Sequence, residues 1–196
     1  MVFSMPRSFA RSDLIFTDLL AADVGAAQAA WPQMWADAEH ATAWTRWLIY
    51  GRLAVARAEI ALHAETPEVA AEWAQRSLEI TIRTRRRKYQ ARGRSILGEA
   101  LARLGRREEA IAELRTAVAT ADELIGPPAR VHARGALGRV AYSLGEDDAA
   151  ATAYAEAAKL VDDFTATLDP ARAATFAGAP AVAEILAATG ASPARS

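Results

Sequence analysis

The chain has 196 residues, 52% of them hydrophobic and 24% charged, a composition ordinary for one globular domain or two small ones. A formal net charge of −1 gives the molecule no overall field that would draw it to nucleic acid or an anionic bilayer, so any such role has to be local. The absence of cysteine excludes disulfides, thiolate nucleophiles and Cys-based metal sites.

Alanine, leucine, arginine and glutamate dominate, and no β-branched run with period two competes with helix. Residues 1–11 read as a flexible leader. Ser12 or Asp13 can cap a helix over about 13–24 that carries Leu14, Ile15, Leu19 and Leu20 and ends near Gly25. A second helix, about 27–39, places Trp31, Met34, Trp35 and Ala38 at helical spacing, with Pro32 in its first turns. Thr42 is the expected cap of a long helix over about 43–64. Thr66-Pro67-Glu68 then opens the next helix, about 67–84: cap, proline at the first position, acid near the positive end of the dipole. Two further pairs follow, about 88–104 with 107–125, and 129–144 with 147–166. Gly126-Pro127-Pro128 separates them, because Pro has no amide hydrogen with which to continue a helix. Asp169-Pro170 and Gly178-Ala179-Pro180 bracket two short helices, about 170–177 and 180–188, before a flexible tail over 189–196.

An internal repeat organises these elements. Leu97-Gly98 recurs forty residues later as Leu137-Gly138, Leu104-Gly105 as Leu144-Gly145, Ala110 as Ala150, Leu114 as Tyr154 and Ala117 as Ala157. Weaker echoes place Gly25 and Glu65 in the column of Gly105, and Ala30 and Ala70 in that of Ala110. A fixed period of this length implies stacked helical hairpins. Gly98 and Gly138 sit mid-helix, where glycine costs about 0.5–1 kcal/mol, so close helix approach is expected there, with Leu114 and Tyr154 filling space between successive hairpins.

The segments LGEALARLGRREEAIAELRTA and LGRVAYSLGEDDAAATAYAEA resemble the tetratricopeptide repeat. The matching positions are Leu97, Gly98, Leu101, Gly105, Ala110, Leu114 and Ala117, then Leu137, Gly138, Ala141, Gly145, Ala150, Tyr154 and Ala157. Two features depart from the family: a period of 40 where about 34 is usual, and Asp122 and Asp162 where a closing proline stands. The longer order of features over 43–188 is similar to the repeat arrays at the C-terminal end of bacterial LuxR-type and cyclase-linked ATPase regulators, so this chain reads as a free-standing array or a detached tail. The resemblance implies an all-α, right-handed α-α superhelix, a tetratricopeptide-like solenoid of about four hairpins (12–39, 43–84, 88–125 and 129–166) plus a capping helix pair over 170–188. It also implies a cytoplasmic, non-enzymatic module that binds a protein or peptide, a scaffold or sensor in bacterial transcriptional or signalling regulation. Family groove positions carried onto the first helix of each hairpin are Arg52, Val55, Glu59 and Leu62, then Arg92, Ser95, Glu99 and Ala102, then His132, Gly135, Arg139 and Tyr142. The alternative is a merely solvated concave face.

Three constellations carry competing readings. Arg83, Arg85, Arg86, Arg87, Lys88, Arg92 and Arg94 surround Tyr89 without an acid among them. They form either a phosphate or nucleic-acid patch or, as expected here, cations gathered at a helix C-terminus whose dipole favours them and in the solvated turn that follows. Asp122-Glu123 and Asp162-Asp163 could pair with that cluster in a neighbouring copy. Trp31, Trp35, Trp44, Trp47 and Trp73 read as core, with a homodimer surface or an aromatic pocket as alternatives. His40, His63 and His132 follow no ligand spacing, and neither phosphate loops nor paired catalytic carboxylates occur. No enzyme activity, cofactor, metal or membrane association is expected.

Overall fold

The computed structural model describes residues 5–40 and 43–190, and among them ten helices and no strand. They are α1 Met5–Leu20, α2 Val24–Glu39, α3 Ala43–His63, α4 Pro67–Arg83, α5 Arg87–Arg103, α6 Arg107–Asp122, α7 Pro127–Ser143, α8 Asp147–Thr165, α9 Pro170–Ala177 and α10 Pro180–Ala188. Consecutive helices pack as antiparallel neighbours, and α1, α3, α5 and α7 also touch one another in succession. The odd helices are therefore an inner layer, and the even helices an outer one in which each is held apart from the next by an odd helix. The molecule is an all-helical, solenoid-like stack of hairpins closed by α9 and α10.

The turns inside the hairpins explain the forty-residue period. Glu65, Gly105 and Gly145 adopt left-handed backbone, with φ of +54°, +76° and +73°. After each, the next amide donates back to the carbonyl five residues behind in a Schellman closure: Thr66 N–H to Ala61, Arg106 N–H to Leu101 and Glu146 N–H to Ala141. Arg85, at φ +53°, closes the turn between α4 and α5 in the same way, through Arg86 N–H to Thr81.

The first hairpin departs from the expected layout. Its turn is made by Ala22, φ +60°, while Gly25 lies inside α2, because the Asp23 carboxylate accepts from Ala26 N–H and starts that helix. Helix α1 begins at Met5, within the stretch read as a flexible leader. Ser12 is not its cap: it is fully buried in mid-helix, and its hydroxyl donates to the Phe9 carbonyl. Thr42, expected to cap α3, and 191–196 of the tail lie outside the described residues.

Close packing falls where the small residues predict, with one difference. A Cβ on Gly98 would stand 2.5 Å from Leu114 Cγ and one on Gly138 2.9 Å from the Tyr154 ring. Leu114 and Tyr154 therefore lie over the glycine of their own hairpin instead of filling space between hairpins. The matching pair in the second hairpin is Ala58 and Ala74, both fully buried. The main core runs from Ile15 through Leu53, Ile60, Ile96 and Leu114 to Val140, and a second cluster of Val131, Tyr154, Val161, Val182, Ile185 and Leu186 seals α10 onto α7 and α8.

Candidate functional site

Most of the expected groove positions are neither solvated nor vacant, because the inner face is laced by ion pairs between helices. Arg52 on α3 is 6% exposed, binds the Asp13 carboxylate of α1, and lies among the rings of Phe9, Phe16 and Tyr89. Glu59, two turns further along α3, receives two hydrogen bonds from Arg92 of α5, Nη2 to Oε1 at 2.7 Å and Nε to Oε2 at 2.8 Å. The Arg92 guanidinium also covers the Phe16 ring, 4.8 Å from its centroid. Glu99 of α5 is held by Arg139 of α7 at 2.9 Å, and Arg139 reaches Glu184 of α10 at 3.3 Å. Tyr154 completes this end through its hydroxyl and Glu184, 3.5 Å apart.

These pairs set the ionisation of the face. Burial pushes the Glu59 carboxyl upward, but the Arg92 charge and its hydrogen bonds outweigh burial and hold it below the usual carboxylate range. Burial alone would lower the Arg139 pKa, yet Glu99 raises it further above its ordinary value. His132, between these two pairs, is the exception. Burial, reinforced by the Arg92 charge, pushes it down to about 4, and its Nε2 is sealed from solvent without a hydrogen-bond partner. The imidazole is therefore neutral at physiological pH.

Of the remaining positions, Val55 and Ser95 are fully buried, and the Ser95 hydroxyl is spent on the Ala91 carbonyl. Leu62 is 6% exposed, while a Cβ on Gly135 would meet Ile185 of α10 at 2.8 Å. Ala102 is half-buried, and Tyr142 stands out at 70% exposure. The phenylalanines of α1 thus cover the N-terminal end of the face and α10 its C-terminal end, leaving Tyr142 as the accessible large side chain among these positions. The interlocking was signalled in the sequence by two columns, Arg52/Arg92/His132 and Glu59/Glu99/Arg139, opposite in charge in the first two repeats and seven residues apart.

The arginine-rich turn is partly consumed by the fold. Arg86 donates to the Leu48 carbonyl of α3 and covers one face of Tyr89, with Arg52 and Lys88 also within cation–π range of that ring, so Tyr89 offers little surface for stacking a base. Arg87 pairs with Glu123 at 3.2 Å, Arg92 with Glu59 at 2.7 Å and Arg94 with Glu113 at 2.5 Å. Asp122 is bound by Arg130 and Arg134, whose hydrogen bonds hold its carboxyl below the usual range. Asp122 and Glu123 are therefore engaged within the chain. Arg83, Arg85 and Lys88 remain exposed.

The tryptophans divide. Trp31 stacks on Trp35 at 5.2 Å, Trp35 on Tyr50 at 4.7 Å, and Trp73 meets both indoles edge-on. Trp31 Nε1 donates to the Leu53 carbonyl, and Arg76 lies over Trp35 and Trp73. This cluster fastens α2 to α3 and α4 as part of the core, whereas Trp47 is 38% exposed; the Trp44 side chain lies outside the described residues. His40 and His63 are exposed and distant in sequence from His132. On the outer face an open cleft of about 310 Å³ lies between α6 and α8, lined by Val118, Leu137, Thr152 and Ala153, with Arg134 and Glu156 bridging it.

No protein-family model and no curated protein sequence matches this chain. Among solved structures, the chain is similar to that titled "Crystal structure of BtubC (BKLC) from P. vanneervenii", a helical-repeat protein. The TM-score is 0.57 at 18% identity, over 92% of this chain and 72% of that one. At this identity the likeness concerns the fold alone.

Proposed function

We propose that this chain is a tetratricopeptide-like, non-enzymatic interaction module, a scaffold or sensor in bacterial regulation, that holds a protein segment against the C-terminal half of its inner face. The observation that carries this reading is Tyr142. It belongs to the column Leu62/Ala102/Tyr142, which passes from buried through half-buried to 70% exposed along the stack. An exposed tyrosine offers a rigid apolar ring with a hydrogen-bonding tip, the combination enriched where proteins bind one another. Arg139 and Glu184 lie on the same end of that face, already fixed by their mutual contact and therefore preorganised to hydrogen-bond a backbone.

The test is photo-crosslinking from a benzophenone side chain at position 142, with position 152 on the outer face as control, in cells that express the chain. The proposal expects discrete adducts at 142 that 152 does not give. Equal adducts at both positions, or none at 142, would overturn it.

A further inference from the structure

The turn between α4 and α5 lies beside two others at the same edge of the stack. Arg86 ties it to the start of α3 through the Leu48 carbonyl, and the Arg87–Glu123 pair ties it to the turn between α6 and α7. That edge carries an unusual pairing of features. Ile125, at the tip of the α6–α7 turn, is 100% exposed, Ile82 is 49% exposed and Trp47 38%. In and beside the α4–α5 turn of this edge stand Arg83, Arg85 and Lys88, all exposed and none in an ion pair among the described residues. Of the acids near this edge, Glu123 is engaged by Arg87 and Asp122 by Arg130 and Arg134, which leaves Glu79, exposed one turn before Arg83, against the three cations.

We propose that this edge is a docking surface for an anionic lipid bilayer. The cations would lie at the headgroups while Ile125, Ile82 and Trp47 enter the interface. Cations alone would equally suit a nucleic-acid backbone, but three free charges give a shallow phosphate contact, and Tyr89 is already covered by arginine. A fully exposed isoleucine at a turn tip gains nothing against a phosphate backbone, and gains apolar burial in a bilayer interface. The charge of −1 for the whole chain does not oppose this, because attraction to a membrane is local within about 10 Å. It also orients the contact: Asp162, Asp163 and Asp169 are exposed further along the chain, which confines docking to the α3–α7 part of the stack.

The test is vesicle flotation of the intact protein with phosphatidylcholine alone or with about one third phosphatidylserine, at low and near-physiological salt. Binding is expected only with phosphatidylserine and is expected to weaken with salt. Each surface cation contributes about five-fold to the partition coefficient, so Arg83→Gln with Arg85→Gly should lower it roughly 25-fold. Arg85→Gly also relieves a left-handed residue, and an unchanged helical circular-dichroism spectrum and thermal midpoint of the variant separate lost contact from lost fold. Ile125→Ser, at a position that touches nothing, should weaken binding at every salt concentration. Failure to float with phosphatidylserine at low salt, equal flotation with phosphatidylcholine alone, or indifference to all these substitutions would overturn the proposal. So would tighter binding to a single-stranded oligonucleotide or to polyglutamate than to the vesicles, which would reassign the edge to a nucleic acid or an acidic protein.

Discussion

Replacing Arg92 with methionine tests the interlocked inner face most sharply. Both carboxylate oxygens of Glu59 are bonded to Arg92, and the two side chains are only 11% and 17% exposed. Arg92→Met would leave the Glu59 charge buried without its partner, and breaking a buried pair in this way costs about 3–5 kcal/mol. Glu59→Met with Arg92→Met removes both charges, so most of that loss should return. About 1 kcal/mol should stay lost, because the guanidinium no longer covers Phe16. The double-mutant cycle in urea unfolding should therefore give a coupling of at least about 2 kcal/mol. The pH dependence supplies a second check. In the wild type the Glu59 carboxyl lies below its ordinary value, so its stabilising contribution is present above the unfolded pKa and is lost as pH falls through the folded one. In Arg92→Met burial outweighs the smaller lowering influences of His132 and His63, the carboxyl is raised, and the deficit should be largest at neutral pH and narrow on acidification. His132, relieved of the Arg92 charge, changes in the same direction. Additive costs, or a deficit that does not narrow toward acid, would refute the reasoning.

Three further outcomes follow from the geometry. Glu65→Gly and Arg85→Gly each relieve a left-handed L-residue worth about 1–2 kcal/mol, part of which glycine returns through unfolded-state entropy; each should raise the thermal midpoint by about 2–4 °C. Gly98→Ala drives a methyl against Leu114 and the Ala110 carbonyl and should cost about 1–3 kcal/mol, while Gly25→Ala, inside α2 with Asp23 Oδ1 at an ordinary contact of 3.7 Å, should stabilise by up to about 1 kcal/mol. His132, held neutral down to about 4, should give no pH-dependent loss above its unfolded value near 6.5 and a progressive loss of about 3 kcal/mol as pH falls from there through the folded value. His132→Leu should flatten that part of the stability–pH curve in denaturant titrations.

How far the sequence revealed this arrangement differs by element. The second to fourth hairpins were legible because left-handed turns at Glu65, Gly105 and Gly145 recur every forty residues and leave a mark, glycine, at two of the three. The first was misaligned because alanine makes its turn, three residues ahead of the expected column, and because a buried serine in mid-helix has the same local pattern as a cap. The ion pairs of the inner face were not legible for a different reason. Its residues were correctly placed on the inner helices, but what they touch depends on partners 33, 39, 40 and 45 residues away on other helices, and no local propensity encodes that. The tryptophan cluster followed the default rule for a large apolar stripe, since α2, α3 and α4 are adjacent in both chain and stack.

The absence of cysteine makes the repeat itself directly measurable, because spin labels can be placed at will. Glu72 on α4, Ala112 on α6 and Thr152 on α8 are exposed and forty residues apart. Outer helices separated by one inner helix should lie about two interaxial distances apart, roughly 16–20 Å. Pulsed dipolar spectroscopy should return matching distances for 72/112 and 112/152 and a clearly longer one for 72/152. Unequal steps, or a 72/152 distance no longer than either, would contradict a forty-residue helical repeat.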